Sequence, residues 1–408
     1  SLHIAAGRLE DRLTFDLQYE CAIKLGYSNQ KTMQAVERFM KHYFIVAKFV
    51  GDLTGTIISS VIDNQPSDKK NTINIIKHKE FLIKNNYILL PEELEKEFNE
   101  MLIFRSFFII SEENYNLHPD YIRFIRNNKK HIRALGSNFK LNKIFLDILS
   151  SKINPGRGLR LMSETGVLGK YLPDFRRIIG QSQFDMYHIY TVDEHLIRAV
   201  EGLSELEKGF FSKELKNASS IARSLKDRKI LFLAVFFHDI AKGRGEDHSI
   251  LGGKIAKSLG ASFRLKKQQI YDVSWLIENH LVLSNIAFKR DIQDVQTIIE
   301  FSKIVKKTDL LNYLYVLTIV DIRATNPSLW NNWKENLLKS LYLSTKTILE
   351  NGRLLDSSKK KKNILKLKKK LSHYDKKIIR DYILRFDDYY WSRVESKTQL
   401  NNVDLIFN

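Results

Sequence analysis

The run Leu231–Phe237, LFLAVFF, is apolar throughout and passes without a break into His238-Asp239-Ile240-Ala241-Lys242. A charge precedes it at Lys229 and none lies inside it. A segment this apolar on every side is buried on every side. No glycine or proline interrupts it, so it reads as a core helix rather than a strand. A histidine and an aspartate side by side at its end need a reason, because polar groups taken out of water without partners are expensive. Two readings supply one. Either the helix end is capped, with Asp239 paired to Lys242, or imidazole and carboxylate together hold a borderline divalent ion such as Mn, Fe, Co or Zn.

Four further residues of the same chemistry bear on that choice. His195 lies 43 residues before His238, in HIYTVDEHLIRAV, and His248 lies 10 residues after it. His280 sits in WLIENHL and Asp321 in YVLTIVDIRATNP. Each ends or interrupts an apolar helical stretch. A carboxylate within so apolar a run as that of Asp321 requires a partner, either an ion or an arginine such as Arg323 or Arg290. His248 opens a helix, where Glu246, Asp247 and Ser249 also allow an ordinary N-terminal cap. The order H…HD…H…H…D resembles the HD phosphohydrolase superfamily. That resemblance implies that His195, His238, Asp239 and Asp321 hold one metal ion, and that His248 and His280 help to hold a second. His188, two helical turns before His195, is expected either behind the metal ligands, supporting them, or in the wall of the substrate cleft.

The chain of 408 residues has room for two or three domains. Its 43% hydrophobic and 28% charged content is that of a soluble globular protein. Six prolines, with none between Pro173 and Pro327, favour long helices. The expected fold class is all-α: a helical bundle domain followed by an HD-type metal-dependent phosphohydrolase domain. The boundaries read as a helical domain over 1–127, connecting helices over 128–187, the HD domain over 188–330 and a helical segment over 331–408. Within the first of these, AGRLEDRLTFDLQYECAIKLGY and MQAVERFMKHYFIVAKFVGDLTGTIISSVI show helical spacing, and Gly26 is a plausible stop. Asn64–Asn71 reads as a loop, residues 72–90 allow a short hairpin, and Pro91 begins a helix through PEELEKEFNEMLIFRSFFII. His118 and His131 read as surface or packing residues.

One cysteine, Cys21, excludes an internal disulfide framework and fits a reducing cytoplasm. The absence of a long uncharged apolar segment argues against a membrane span. The net charge of +19 raises nucleic-acid binding as a question. The densest basic run, Lys359–Lys362 followed by Lys366 and Lys368–Lys370, has no interleaved aromatic residues to serve as stacking platforms. The charge therefore reads as compositional bias plus a solvated helix or loop rather than as a nucleic-acid surface, and is also compatible with an acidic protein partner.

GRLEDRLTFDLQ, GVLGKYLPDFRRIIGQSQFDMYHIYTVDEH, FFHDIAKGRGEDHS and VDIRATNPSLWNNWK resemble the bacterial PII uridylyltransferase/uridylyl-removing enzyme family, almost from end to end of the chain. That family is built as a nucleotidyltransferase domain, a helical domain, an HD domain and two ACT domains, and the likeness is to its middle portion. The Gly-rich turn followed by Asp-x-Asp that nucleotidyl transfer needs is not found: Gly136-Ser137 is followed by no paired aspartates, and Asp387-Asp388 has no such turn before it. The resemblance implies metal-assisted hydrolysis of a phosphodiester, with UMP released from a tyrosine of the PII signal-transduction protein. It implies one or two divalent ions (Mn, Mg, Fe or Co). In that reading Asp239 is catalytic as well as a ligand, and Lys242 and Arg244 neutralise phosphate charge, unless the two cations merely belong to a solvent-facing loop. Two other classes stay open. An HD phosphohydrolase acting on free nucleotides would keep the ligands without the family's other phrases. A non-catalytic PII- or RNA-binding helical module would keep the fold with a defective site. The 408-residue chain is expected not to attach UMP to PII from UTP. Robust incorporation of labelled UMP would instead place a transferase site within these residues.

Overall fold

The computed structural model describes residues 1–30, 33–63, 75–136, 138–183, 189–351, 364–369, 371, 376–386, 398, 402, 403 and 406. The helices, in order, are α1 (Leu2–Ala6), α2 (Phe15–Lys24), α3 (Ala35–Asp63), α4 (Glu92–Lys96), α5 (Glu100–Glu112), α6 (Pro119–Asn128), α7 (Phe139–Leu149), α8 (Pro155–Glu164), α9 (Val167–Tyr171) and α10 (Pro173–Ile178). They continue as α11 (Val192–Lys208), α12 (Lys216–Ser224), α13 (Arg228–Phe237), α14 (His248–Gly260), α15 (Lys267–Glu278), α16 (Val282–Lys289), α17 (Val295–Val305), α18 (Thr308–Thr325), α19 (Asn332–Asn351) and α20 (Lys376–Arg385). Two compact units result, one of residues 1–281 with 312–331 and the other of residues 282–311 with 332–408. No described helix is long and apolar enough to cross a membrane.

The helical reading of residues 1–127 needs three amendments. The hairpin allowed over residues 72–90 is present, as β1 (Ile75–His78) and β2 (Phe81–Lys84), and it extends to a four-stranded sheet with β3 (Tyr87–Ile88) and β4 (Asn116–Leu117). The first three strands pair antiparallel and the last parallel. Phe81 and Ile83 are buried while Leu82 is exposed, the two-residue alternation of a half-buried strand. Its turns place Lys79, Asn85 and Asn86 at positive φ, which asparagine tolerates better than most residues. The helix expected to run on from Pro91 breaks at Glu97 and restarts at Glu100, because the Asn99 side chain accepts from Met101 N and Leu102 N and caps a new helix. Residues 7–14 are not helical, since α1 stops at Gly7 in the left-handed region. The loop expected over Asn64–Asn71 lies outside the described residues.

α13 is the centre of the first unit. Every residue from Ile230 to Phe237 is buried, and α7, α11 and α15 pack around it. The Phe236 ring stacks on Phe175 of α10 at 5.6 Å and meets Phe145 of α7 edge-on at 5.9 Å. At the start of α13 the Asp227 carboxylate accepts from Lys229 N and from the Gln269 side chain of α15. α14 and α15 approach closely because small residues separate them. A Cβ added at Gly253 would lie 2.4 Å from Glu278, and one at Gly260 would lie 2.6 Å from Ile270. In the second unit Phe288 of α16 stacks on Trp333 of α19, and Leu367, Leu371, Ile379, Tyr382 and Val403 form a small separate core.

After α13 the chain turns sharply through Gly243, at φ +76, where an added Cβ would lie 2.1 Å from the buried Gln181 amide. Gly243→Ala is therefore expected to destabilise the unit by about 1–2 kcal/mol from the left-handed backbone, with a further loss from displacing Gln181. Urea unfolding measures this, and an unchanged midpoint would show that the turn relaxes freely.

Candidate metal centre

The last carbonyls of a helix have no donor within it. His238 directly follows α13, and its Nδ1 lies 2.8 Å from Val235 O. A carbonyl only accepts, so Nδ1 carries the proton and the lone pair of neutral His238 is on Nε2. His280, two residues beyond α15, repeats the device with Nδ1 donating to Ile277 O at 2.8 Å. Two buried helix ends thus fix the tautomer of two imidazoles. Carbonyl-end dipoles of both helices also favour positive charge nearby.

The six residues singled out in the sequence meet around one carboxylate. His195 Nε2, from α11, lies 3.1 Å from His238 Nε2. Asp321 Oδ1, from α18, is 3.2 Å from the first nitrogen and 3.4 Å from the second. Asp239 Oδ2 faces the same two nitrogens at 3.6 and 3.5 Å. Its other oxygen, Oδ1, faces His248 Nε2 at 3.4 Å and His280 Nε2 at 3.7 Å. His195, His238, Asp239 and His280 are buried, while His248 and Asp321 are partly exposed.

This arrangement fits a divalent metal ion. Two donors each ~2.1 Å from one ion, at tetrahedral to octahedral angles, stand ~3.0–3.4 Å apart. The separations among His195, His238 and Asp321 are 3.1–3.4 Å. The donor atoms fall into three overlapping groups, His195-His238-Asp239, His238-His280-Asp321 and Asp239-His248-His280, each with its atoms within 4.8 Å of one another. Buried Asp239 Oδ1, His248 Nε2 and His195 Nδ1 have no hydrogen-bond partner among the described residues. An ion would satisfy the first two directly.

The electrostatics point the same way. Burial opposes charge on His238, but Asp239 and Asp321 beside it prevail and hold its pKa at about 10. A proton thus stands where a cation would. His280 is the opposite case, pushed by burial and by His238 down to about 4 and therefore neutral. Burial also lowers His248. Burial works against the Asp239 charge, but Lys242 and His238 outweigh it and keep the carboxyl well below its usual range. Asp321 is likewise held low, against burial, chiefly by His238 and His195.

Lys242 Nζ lies 2.6 Å from Asp239 Oδ2 and donates to Gln183 Oε1 at 2.8 Å. The Asp239–Lys242 pair and the ligand geometry therefore share one carboxylate. Arg244 is held elsewhere, donating to Asp174 Oδ1 at 2.7 Å and to Ile240 O. The arginines considered as partners for Asp321 are engaged differently: Arg323 with Glu214 and Arg290 with Glu300. Asp247 does cap α14, accepting from Ser249 N and Ile250 N, while His248 beside it turns to Asp239. His188 lies outside the described residues.

Sequence reasoning passed over two residues. Gln183 holds Lys242, and buried Asp193 accepts from Gly180 N at 2.9 Å and faces Lys48 of α3 at 3.6 Å, anchoring the start of α11. An acid in the first turn of a helix reads as an ordinary dipole partner, so the sequence carried no signal for Asp193.

Binding of Mn²⁺ to the metal-free chain at pH 8 is expected to release about one proton, because His238 holds one up to about pH 10. Affinity should fall as pH falls, since the proton competes for Nε2. Calorimetry in two buffers of different ionisation enthalpy reads the proton count. Identical heats would show that His238 is already neutral.

Three family descriptions match successive parts of the chain: GlnD PII-uridylyltransferase over residues 1–58, Uridylyltransferase GlnD third domain over 81–171, and HD domain over 192–314. Bifunctional uridylyltransferase/uridylyl-removing enzymes of Rhodospirillum rubrum and Novosphingobium aromaticivorans are 39% and 38% identical over 357 residues, 86% of this chain. That of Azospirillum brasilense is 37% identical over 359 residues. Among solved structures, the complex of a CCA-adding enzyme with CTP aligns with a TM-score of 0.40 at 14% identity, covering 79% of this chain and 63% of that one. The chain spans 38–39% of the length of these curated relatives. With the likeness continuous over 86% of its residues, the chain belongs to the family of bifunctional uridylyltransferase/uridylyl-removing enzymes.

Proposed function

We propose that the chain is a metal-dependent phosphodiesterase that removes UMP from uridylylated PII, in the cytoplasm. The observation that carries this reading is the single carboxylate of Asp239, with two imidazoles facing each oxygen and an ammonium group beside it. The substrate comes from the relatives, which are named uridylyl-removing enzymes, and from the PII-uridylyltransferase description that matches residues 1–58.

In this reading His195, His238, Asp239 and Asp321 hold one ion, and His248 and His280 with the second oxygen of Asp239 hold another. The nitrogen-rich donor set favours Mn, Fe or Co over Mg. When bound, a divalent ion supplies Lewis acidity toward a phosphoryl oxygen and lowers the pKa of water from 15.7 toward about 7. The protein's own groups prepare the site for an anion. His238 and His280 keep their Nδ1 protons on carbonyls, so both present Nε2 inward. Lys242 places positive charge where a phosphate gathers negative charge. Arg244, tied to Asp174 and to the carbonyl of Ile240, is assigned to positioning the turn after Asp239.

With Mn²⁺ the chain should release UMP from uridylylated PII. Asp239→Ala should lower that rate by more than the ~10²–10⁴-fold typical of removing one acid–base group, because the ion is lost with it. Lys242→Gln should lower kcat by about 10²-fold while the ion still binds. Undiminished release by Asp239→Ala would remove this cluster as the source of the activity. Turnover of free nucleotides, with uridylylated PII left intact, would replace the substrate.

A further inference from the structure

A cavity of about 220 Å³ lies along the two helices that carry His195 and Asp321, with Arg198, Gly202 and Glu205 of α11, Arg323 of α18, and the rings of Tyr190 and Phe211 in its wall. We infer that this cavity takes the uridine of the nucleotidyl group whose phosphate sits at the Asp239 cluster. The inference rests on the phosphodiesterase reading given above.

Helix register carries the first part. His195, Arg198, Gly202 and Leu206 recur at i, i+3, i+7 and i+11, which is one face of α11. Arg198 is thus ~4.5 Å along the axis from the ligand His195, and Gly202 ~10 Å. A nucleotide with its phosphorus at the cluster would extend its sugar and base over that distance. Asp321 and Ala324 are related by one turn on α18 in the same way, and Ala324 also lines the cavity.

Gly202 carries the second part. It sits inside a 17-residue helix, is not among the glycines at positive φ, and an added Cβ would meet nothing within 4 Å. Neither backbone conformation nor close packing calls for glycine there, and glycine weakens a helix interior. What its missing side chain does provide is open space within the cavity.

The chemistry of the wall carries the third. Arg198 lies 4.0 Å over the Tyr190 ring and Arg323 lies 4.4 Å over the Phe211 ring, so planar donors and aromatic faces border the same space. Uracil presents two carbonyl acceptors flanking one N–H donor. Guanidinium groups suit the carbonyls, and the Glu205 carboxylate suits the N–H. Cytosine lacks that N–H, so Glu205 becomes the specificity-determining residue. A site built around such a donor rejects analogues that lack it.

The test is equilibrium binding to the whole Mn-loaded chain, with UMP, CMP and methyl phosphate as probes. UMP should bind more tightly than CMP. Gly202→Leu should weaken UMP by about tenfold or more and leave methyl phosphate unchanged. Gly202→Ala should raise the melting temperature, as helix propensity requires, while still weakening UMP. Glu205→Gln should abolish the preference for UMP over CMP. Asp239→Asn should weaken all three probes, which separates the phosphate cluster from the base cavity. UMP binding unaltered in both folded Gly202→Ala and Glu205→Gln would overturn the inference, as would no UMP binding by the unmutated chain. Neither result touches the phosphodiesterase reading, which UMP release from uridylylated PII decides independently. Equal weakening of UMP and methyl phosphate by Gly202→Leu would also overturn it, by showing that the substitution disturbs the cluster itself.

Discussion

Two imidazole nitrogens 3.1 Å apart, with a carboxylate oxygen 3.2–3.4 Å from both, cannot sit quietly in a buried space unless positive charge lies among them. His238 shows why. Its Nδ1 proton is committed to Val235 O, so a neutral ring turns a lone pair toward His195, Asp239 and Asp321. The electrostatic resolution is a second proton on His238 or a metal ion. Much of the first unit makes sense as a device that forces this choice, by holding the groups in place at a distance they would not adopt alone.

Holding them takes rigid elements that end where the ligands begin. α13 contributes most, since its eight apolar residues from Ile230 to Phe237 are all buried and its end is fixed in space. His195 comes from the first turn of α11 and Asp321 from the C-terminal part of α18, where packing of the two helices sets their directions. His280 and His248 sit at the adjoining ends of α15 and α14, and that helix pair is brought close by glycines facing Glu278 and Ile270. The desolvation of two carboxylates is offset in part by apolar packing next to them, such as that of Phe236, one turn before Asp239, stacked on Phe175. Charged groups at a site assembled this way change protonation more readily than position.

The parts visible in the sequence were those with a strong local signature. An apolar run ending in His-Asp has few structural readings, and polar interruptions at His195, His248, His280 and Asp321 stand out against apolar neighbours. The parts that escaped depend on partners remote in sequence or on weak local competition. The sequence allows the hairpin over residues 72–90, but the strands that extend it, Tyr87–Ile88 and Asn116–Leu117, are two residues each, too short for any alternation to show. The break before Glu100 rests on one asparagine side chain capping two backbone N–H groups. The sequence leaves Arg244 open between a phosphate-neutralising cation and a solvent-facing loop residue, and carries no sign of Asp174, 70 residues away, to which it donates. Nothing in the sequence around Gly202 marks it out, because the space beside it is formed by residues of other segments.

Charge balance connects the cluster to the kind of anion it suits. Without an ion, the carboxylates of Asp239 and Asp321 are offset by the ammonium of Lys242 and the extra proton on His238, while His280 stays neutral. Among these four charged groups the charges then cancel. In the proposed reading a single divalent cation, held by His195, His238, Asp239 and Asp321, would take the place of the His238 proton and leave one excess positive charge. A phosphodiester carries one negative charge at neutral pH, and its binding would restore neutrality. Lys242 therefore does more than cap a helix end. By offsetting one carboxylate in advance, it would leave a metal-loaded site short of an anion, which in the proposed reading would favour phosphate esters over uncharged substrates.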